Sequence, residues 1–110
     1  MRIAHRLVLV AAAVLLSATA RGEVDSKTQR LWKANCAACH GQTGKGDTDR
    51  GKQLKVNDMS TAAFQAKTDD AYKKAIIEGV KWEAGNMDAF KDLTPDQVNG
   101  LITMIRSFKK

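Results

Sequence analysis

Apolar residues at Val98, Leu101, Ile102, Ile105 and Phe108 recur three and four positions apart, the spacing of one helix face. Thr94-Pro95-Asp96-Gln97 stands directly before them, with an N-cap hydroxyl, a proline at the first helical position, an acid and a Gln three residues after the cap. Arg106, Lys109 and Lys110 fall in the last turn, where cations suit the negative end of the helix dipole. A C-terminal helix is the clearest element. A middle helix is expected from Thr68 or Asp69 to Glu78, with Tyr72, Ala75, Ile76 and Val80 on its stripe and Gly79 closing it. A short helix is expected from an N-cap at Ser60 and carries Phe64, and a fourth runs from about Asp25 into Cys36 with Thr28, Leu31, Trp32 and Asn35 on one side. Gly41 to Asn57 has little periodicity, and no stretch shows the alternation of a strand. The pattern predicts an all-α fold of about four helices with one long loop, and such a loop needs something to wrap around.

The first twenty positions read as an address. Arg2, His5 and Arg6 make a positive start, Leu7 to Leu16 run apolar, and Ala18-Thr19-Ala20 supplies small residues where a signal peptidase cuts. The apolar run is half of the roughly twenty residues that a bilayer span requires. A secretory signal peptide over residues 1–20, cleaved after Ala20, and a single domain over 21–110 are the expected organisation.

With 110 residues and six aromatic side chains (Trp32, Phe64, Tyr72, Trp82, Phe90 and Phe108), the chain has little material for a core. A disulfide, metal or cofactor is expected to complete it. The net charge of +6 is spread through mixed runs such as Lys45-Gly46-Asp47-Thr48-Asp49-Arg50 and forms no stripe of the kind that binds nucleic acid.

Cys36-Ala37-Ala38-Cys39-His40 carries the chemistry. A Cys36–Cys39 disulfide would leave His40 idle. A thioredoxin-like centre needs the pair at a helix start that follows a strand, and here the preceding segment reads as helix. Structural zinc needs four protein ligands, and beyond the leader only Cys36, Cys39 and His40 are Cys or His. Covalent haem attachment uses all three. Two thiols two residues apart each add to one porphyrin vinyl group, and the following His40 lies under the ring to bind iron. The export signal fits this chemistry, and a flat apolar macrocycle supplies the missing core.

The opposite iron position is then open to Met59, Met87 or Met104. Met104 lies beside the stripe of the last helix and reads as core. Met59 precedes a helix cap and reads as ligand or core. Met87 sits in the non-periodic stretch Glu83 to Phe90, where a loop can present a thioether to a ring face; it is favoured over Met59.

These pieces resemble the class I c-type cytochromes, the small soluble monohaem bacterial proteins, over nearly the whole chain beyond the leader. The matching segments are Leu31-Trp32 through Cys36-Ala37-Ala38-Cys39-His40-Gly41, Gly44-Lys45-Gly46-Asp47, Ile76-Ile77-Glu78-Gly79, Met87-Asp88-Ala89-Phe90 and Leu101 to Arg106. The resemblance implies a cytochrome c-like fold around one covalent haem c, with Cys36 and Cys39 attached, His40 the proximal iron ligand and Met87 the distal one. It also implies first-helix packing on the last, with Thr28 and Trp32 against Leu101 and Met104. Asp88 stands where the family often has proline. The loop after the haem motif has no proline, so a carbonyl between Gly51 and Val56 is the expected partner of His40.

With both axial positions filled, the implied function is a periplasmic or otherwise exported electron carrier and not an enzyme. Its partners would be redox proteins, with no nucleic acid and no stable membrane insertion after cleavage, and it would be a monomer. If Met87 is not a stable ligand, the alternative is a five-coordinate haem protein that binds or reduces peroxide, nitric oxide or carbon monoxide. Trp82 is a candidate donor to a haem propionate. Lys33, Lys45, Lys81 and Lys91 are candidates for a docking ring or ordinary surface lysines.

Overall fold

The computed structural model describes residues 23–110, so the expected leader and its cleavage site lie outside the described residues. Six helical segments and one hairpin follow in order: α1 Ser26–Asn35, α2 Ala37–His40, α3 Asp49–Leu54, α4 Ala62–Gln65, α5 Asp69–Glu78, β1 Val80–Trp82, β2 Gly85–Met87 and α6 Pro95–Ser107. The three longest helices start where their caps predict. Asp25 accepts from the Thr28 backbone N–H, Thr68 from Ala71, and Thr94 from Gln97, with the Gln97 side chain returning to the Thr94 N–H to complete the capping box.

Three local features differ from the sequence-based reading. The short helix is capped by Thr61, which accepts from Phe64 N, and not by Ser60. Ser60 is buried, its N–H donating to Asp58 Oδ1 across 2.8 Å in an Asx turn and its hydroxyl donating to the same oxygen across 2.6 Å. Within the expected loop 41–57 lies α3, capped by Thr48 and ended by Lys55 in the left-handed conformation. Finally, residues 80–87 form an antiparallel hairpin with Val80 opposite Met87 and Trp82 opposite Gly85. Each strand has only three residues, too few for alternation to show in sequence.

The core lies where α1, α5 and α6 meet. Trp32, Tyr72, Ile76, Val98, Leu101, Ile102 and Ile105 are buried together there, with Cys36, Ala37 and Met59 continuing the cluster toward α2. The α1 and α6 helices pack directly, as expected, and the residue that meets Thr28 is Gly100. Arg106 clasps the other side of α6: it lies 4.6 Å from the Tyr72 ring, pairs with Asp69 and donates to the Lys67 carbonyl.

Candidate cofactor site

Cys36 is a hinge between two helices. Its N–H donates to Trp32 O, ending α1, while its own carbonyl accepts from His40 N across 2.9 Å and opens α2. Cys36, Cys39 and His40 therefore stand at i, i+3 and i+4 of one helical turn, which places them on one face. Gly41 stops the turn with φ +81°, where a side chain would be strained and its Cβ would lie 2.8 Å from Asp47 Oδ1. The turn is held from behind by Trp32, whose indole donates to Gly41 O across 3.0 Å and whose ring centre lies 5.9 Å from that of His40. Thr48 holds it from the side, with its hydroxyl shared between Ala38 O at 2.8 Å and Cys39 O at 3.1 Å.

Both cysteines are free thiols. Burial, helped by the neighbouring Cys39, pushes the Cys36 thiol up to about 11, so it is neutral at physiological pH. Burial also holds the His40 pKa below its ordinary value, leaving a neutral imidazole. Its Nδ1 is buried without a hydrogen-bond partner. The expected partner carbonyl between Gly51 and Val56 does not serve it, because that stretch is the end of α3. Gly51 O there accepts from Val56 N and Lys55 N, Lys52 O from Lys55 N, and Leu54 O from the Trp82 indole across 2.7 Å. Trp82 is thus committed to a backbone carbonyl.

Two free thiols and a neutral imidazole on one helical face, backed by buried Trp32 and Ala37, suit a covalently attached haem. Among the described residues, no three His, Cys, Asp or Glu side chains converge on a point that would hold a bare metal ion.

The methionines divide by location. Met59 is buried in the core and ties down its surroundings, its N–H donating to Gly44 O and its carbonyl accepting from the Gln65 side chain. Met104 is half-buried on α6 and packs against the core. Met87 is half-buried at the end of β2. Gly79, with φ +75°, allows the close approach of the Met87 carbonyl; a Cβ there would collide with it. Met87 also lines an open pocket of about 380 Å³ with Glu78, Lys81, Asn86 and Asp88, and this pocket includes neither cysteine nor His40. Asp88 accepts from the Asn86 side chain.

Residues 24–105 match the family described as cytochrome c oxidase, cbb3-type, subunit III. Among solved structures, KustC0563 c-type cytochrome is 33% identical, with a TM-score of 0.66 over 76% of this chain and 98% of its own. A tyrosine-to-phenylalanine point mutant of Kustc0563 is 36% identical, with a TM-score of 0.63 over 74% of this chain and 98% of its own. A component of the Kuenenia stuttgartiensis reducing HAO-like protein complex Kustc0457/Kustc0458 shares the fold at 23% identity, with a TM-score of 0.66 over 80% of this chain and 44% of its own. No curated protein matches. Among the described residues, no helix is long and apolar enough to cross a membrane. The fold is helical apart from the short hairpin and is cytochrome c-like, and its function is electron transfer of the general c-type cytochrome kind. The chain belongs to the c-type cytochrome family that includes the cbb3-type oxidase subunit III.

Proposed function

We propose that Cys36 and Cys39 attach one haem c through thioether bonds, with His40 as proximal and Met87 as distal iron ligand. We further propose that the chain, cleaved after Ala20, moves single electrons between redox proteins in the periplasm as a monomer. The observation that carries this reading is the single helical turn presenting two free thiols and a neutral imidazole on one face. In the attachment each S–H adds across a vinyl C=C, so sulfur and hydrogen both go to the vinyl carbons and no electron is gained or lost.

Bound there, the haem supplies a one-electron iron couple. The residues do the rest. His40 is kept neutral by burial, so its nitrogen is ready to coordinate without first losing a proton. The Met87 thioether favours ferrous iron and raises the potential. With His40 and Met87 both holding the group, no position would be left open for a substrate, which would favour electron transfer over small-molecule chemistry. Trp32, Ala37 and Met59 keep water from the core side of the motif.

The test is the mass and absorption spectrum of the exported protein. The expected mass is that of residues 21–110 plus one haem, and the ferric form shows the weak near-infrared band of iron–methionine ligation. Met87→Ala loses the band and Met59→Ala keeps it. A colourless product at the bare polypeptide mass overturns the haem assignment. A red product without the band, whose ferrous form binds carbon monoxide at once, would establish the five-coordinate alternative.

A further inference from the structure

The six-residue helix α3 touches both halves of the candidate site. At its start, the Thr48 hydroxyl reaches Ala38 O and Cys39 O, and Gly51 lies so close to the Cys39 carbonyl that any Cβ would collide with it. At its end, Leu54 O accepts from the Trp82 indole across 2.7 Å, and a Cβ on Gly85 would lie 2.6 Å from Leu54 Cδ2. The carbonyls at a helix C-terminus have no partner within the helix, so the indole satisfies a group that would otherwise need water.

Strand geometry carries that contact to Met87. Trp82 is opposite Gly85 and Val80 is opposite Met87. Cross-strand partners and residues two apart share a sheet face, so Trp82, Gly85, Val80 and Met87 all belong to the face that meets Leu54. The other end of the hairpin is fixed by Gly79 against the Met87 carbonyl and by Phe90 N donating to Ile76 O across 2.8 Å. A hairpin this short has little stability of its own.

We propose that α3 is a strut that sets the Met87 hairpin relative to the Cys36–His40 turn, with Trp82 and Thr48 as the positioning residues at its two ends. The strut holds the Met87 thioether at the iron without touching the iron itself. This rests on the ligand assignment above.

The experiment uses the haem-loaded full protein and four forms: wild type, Trp82→Phe, Thr48→Val and Met87→Ala. Two readouts are taken, the temperature at which the near-infrared iron–methionine band disappears compared with that of the helical circular dichroism, and the rate of carbon monoxide binding to the ferrous form. Loss of one partly buried hydrogen bond raises the population of the Met87-detached form about fivefold. Trp82→Phe is therefore expected to bind carbon monoxide about fivefold faster and to lose the band well before its helices melt. Thr48→Val is expected to do the same from the far end of α3. Leu54→Ala, which removes the contact with Gly85, replaces Trp82→Phe if that variant does not accumulate with haem.

A Met87→Ala protein that keeps the band sinks the ligand assignment itself. If Met87→Ala loses the band while both strut variants bind carbon monoxide at the wild-type rate, the ligand assignment stands and the strut is refuted. A response to Trp82→Phe alone, or band loss that merely follows helix melting, refutes it too.

Discussion

Trp32 donates its indole hydrogen to the Gly41 carbonyl across 3.0 Å, in a buried site nine residues away along the chain. The same ring lies 5.1 Å from Phe108 and 5.9 Å from His40, centre to centre. One side chain thus joins α1, the end of the cysteine turn and the end of α6. Trp32→Phe keeps an aromatic ring but leaves the Gly41 carbonyl with only the longer bond from Gly44 N, 3.3 Å. The expected cost is about 0.5–1.5 kcal/mol, read as a lower urea midpoint of the haem-loaded protein. An unchanged midpoint would mean that the Gly44 N–H alone satisfies Gly41 O.

The crossing of α1 and α6 depends on a missing side chain. A Cβ on Gly100 would lie 2.5 Å from Thr28 Oγ1, and Thr28 is buried with nowhere to withdraw. Gly100→Ala is expected to destabilise by about 1–3 kcal/mol through overpacking. In a Thr28→Ala background the nearest obstacle is gone, and the same change should gain up to about 1 kcal/mol of helix propensity. Urea unfolding of the four proteins in the cycle measures the coupling, and additive effects would contradict the close approach.

Removing the Thr94 hydroxyl opens the capping box at the start of α6. Thr94→Ala should cost about 1 kcal/mol and Thr94→Ser very little. Thermal unfolding of the two variants separates loss of the cap from loss of the methyl group.

Acid sensitivity should trace partly to two carboxylates. Hydrogen bonds from Thr28, the backbone N–H foremost, hold Asp25 below its ordinary pKa, and the Ser60 hydroxyl and N–H do the same for Asp58. Both folded values lie below the unfolded one of about 3.8, so their contribution is fully present above that pH and lost as pH falls through the folded values. Asp25→Asn with Asp58→Asn should lower the thermal midpoint at pH 7, where the ionised carboxylates contribute fully, and flatten its decline below pH 4. A decline as steep as wild type would assign the acid limb to other groups.

Much of the architecture was readable because its signals are local. A helix cap acts within three residues and an amphipathic stripe within one turn, so α1, α5 and α6 begin at Asp25, Thr68 and Thr94 as their sequences predict. The cysteine motif was readable for the same reason, since one helical turn brings Cys36, Cys39 and His40 to one face. Helix α3 was not readable. Its cap Thr48 is present, but Gly51 in its middle looks like a loop residue, and only the approach of the Cys39 and Gly46 carbonyls explains that glycine. The hairpin was hidden because its strands are shorter than two periods of alternation.

Taken alone, the chain order determined the long helices and the spacing of the thiols and imidazole, because bond geometry and short-range hydrogen bonds dictate them. Folding in three dimensions decided what surrounds those groups. It engaged the Gly51 and Lys52 carbonyls at the end of α3 and turned the Trp82 indole onto Leu54, 28 residues away. It also sank Met59 into the core while leaving Met87 at a strand end. Those outcomes depend on which distant backbone groups arrive next to one another, and neither periodicity nor spacing records that.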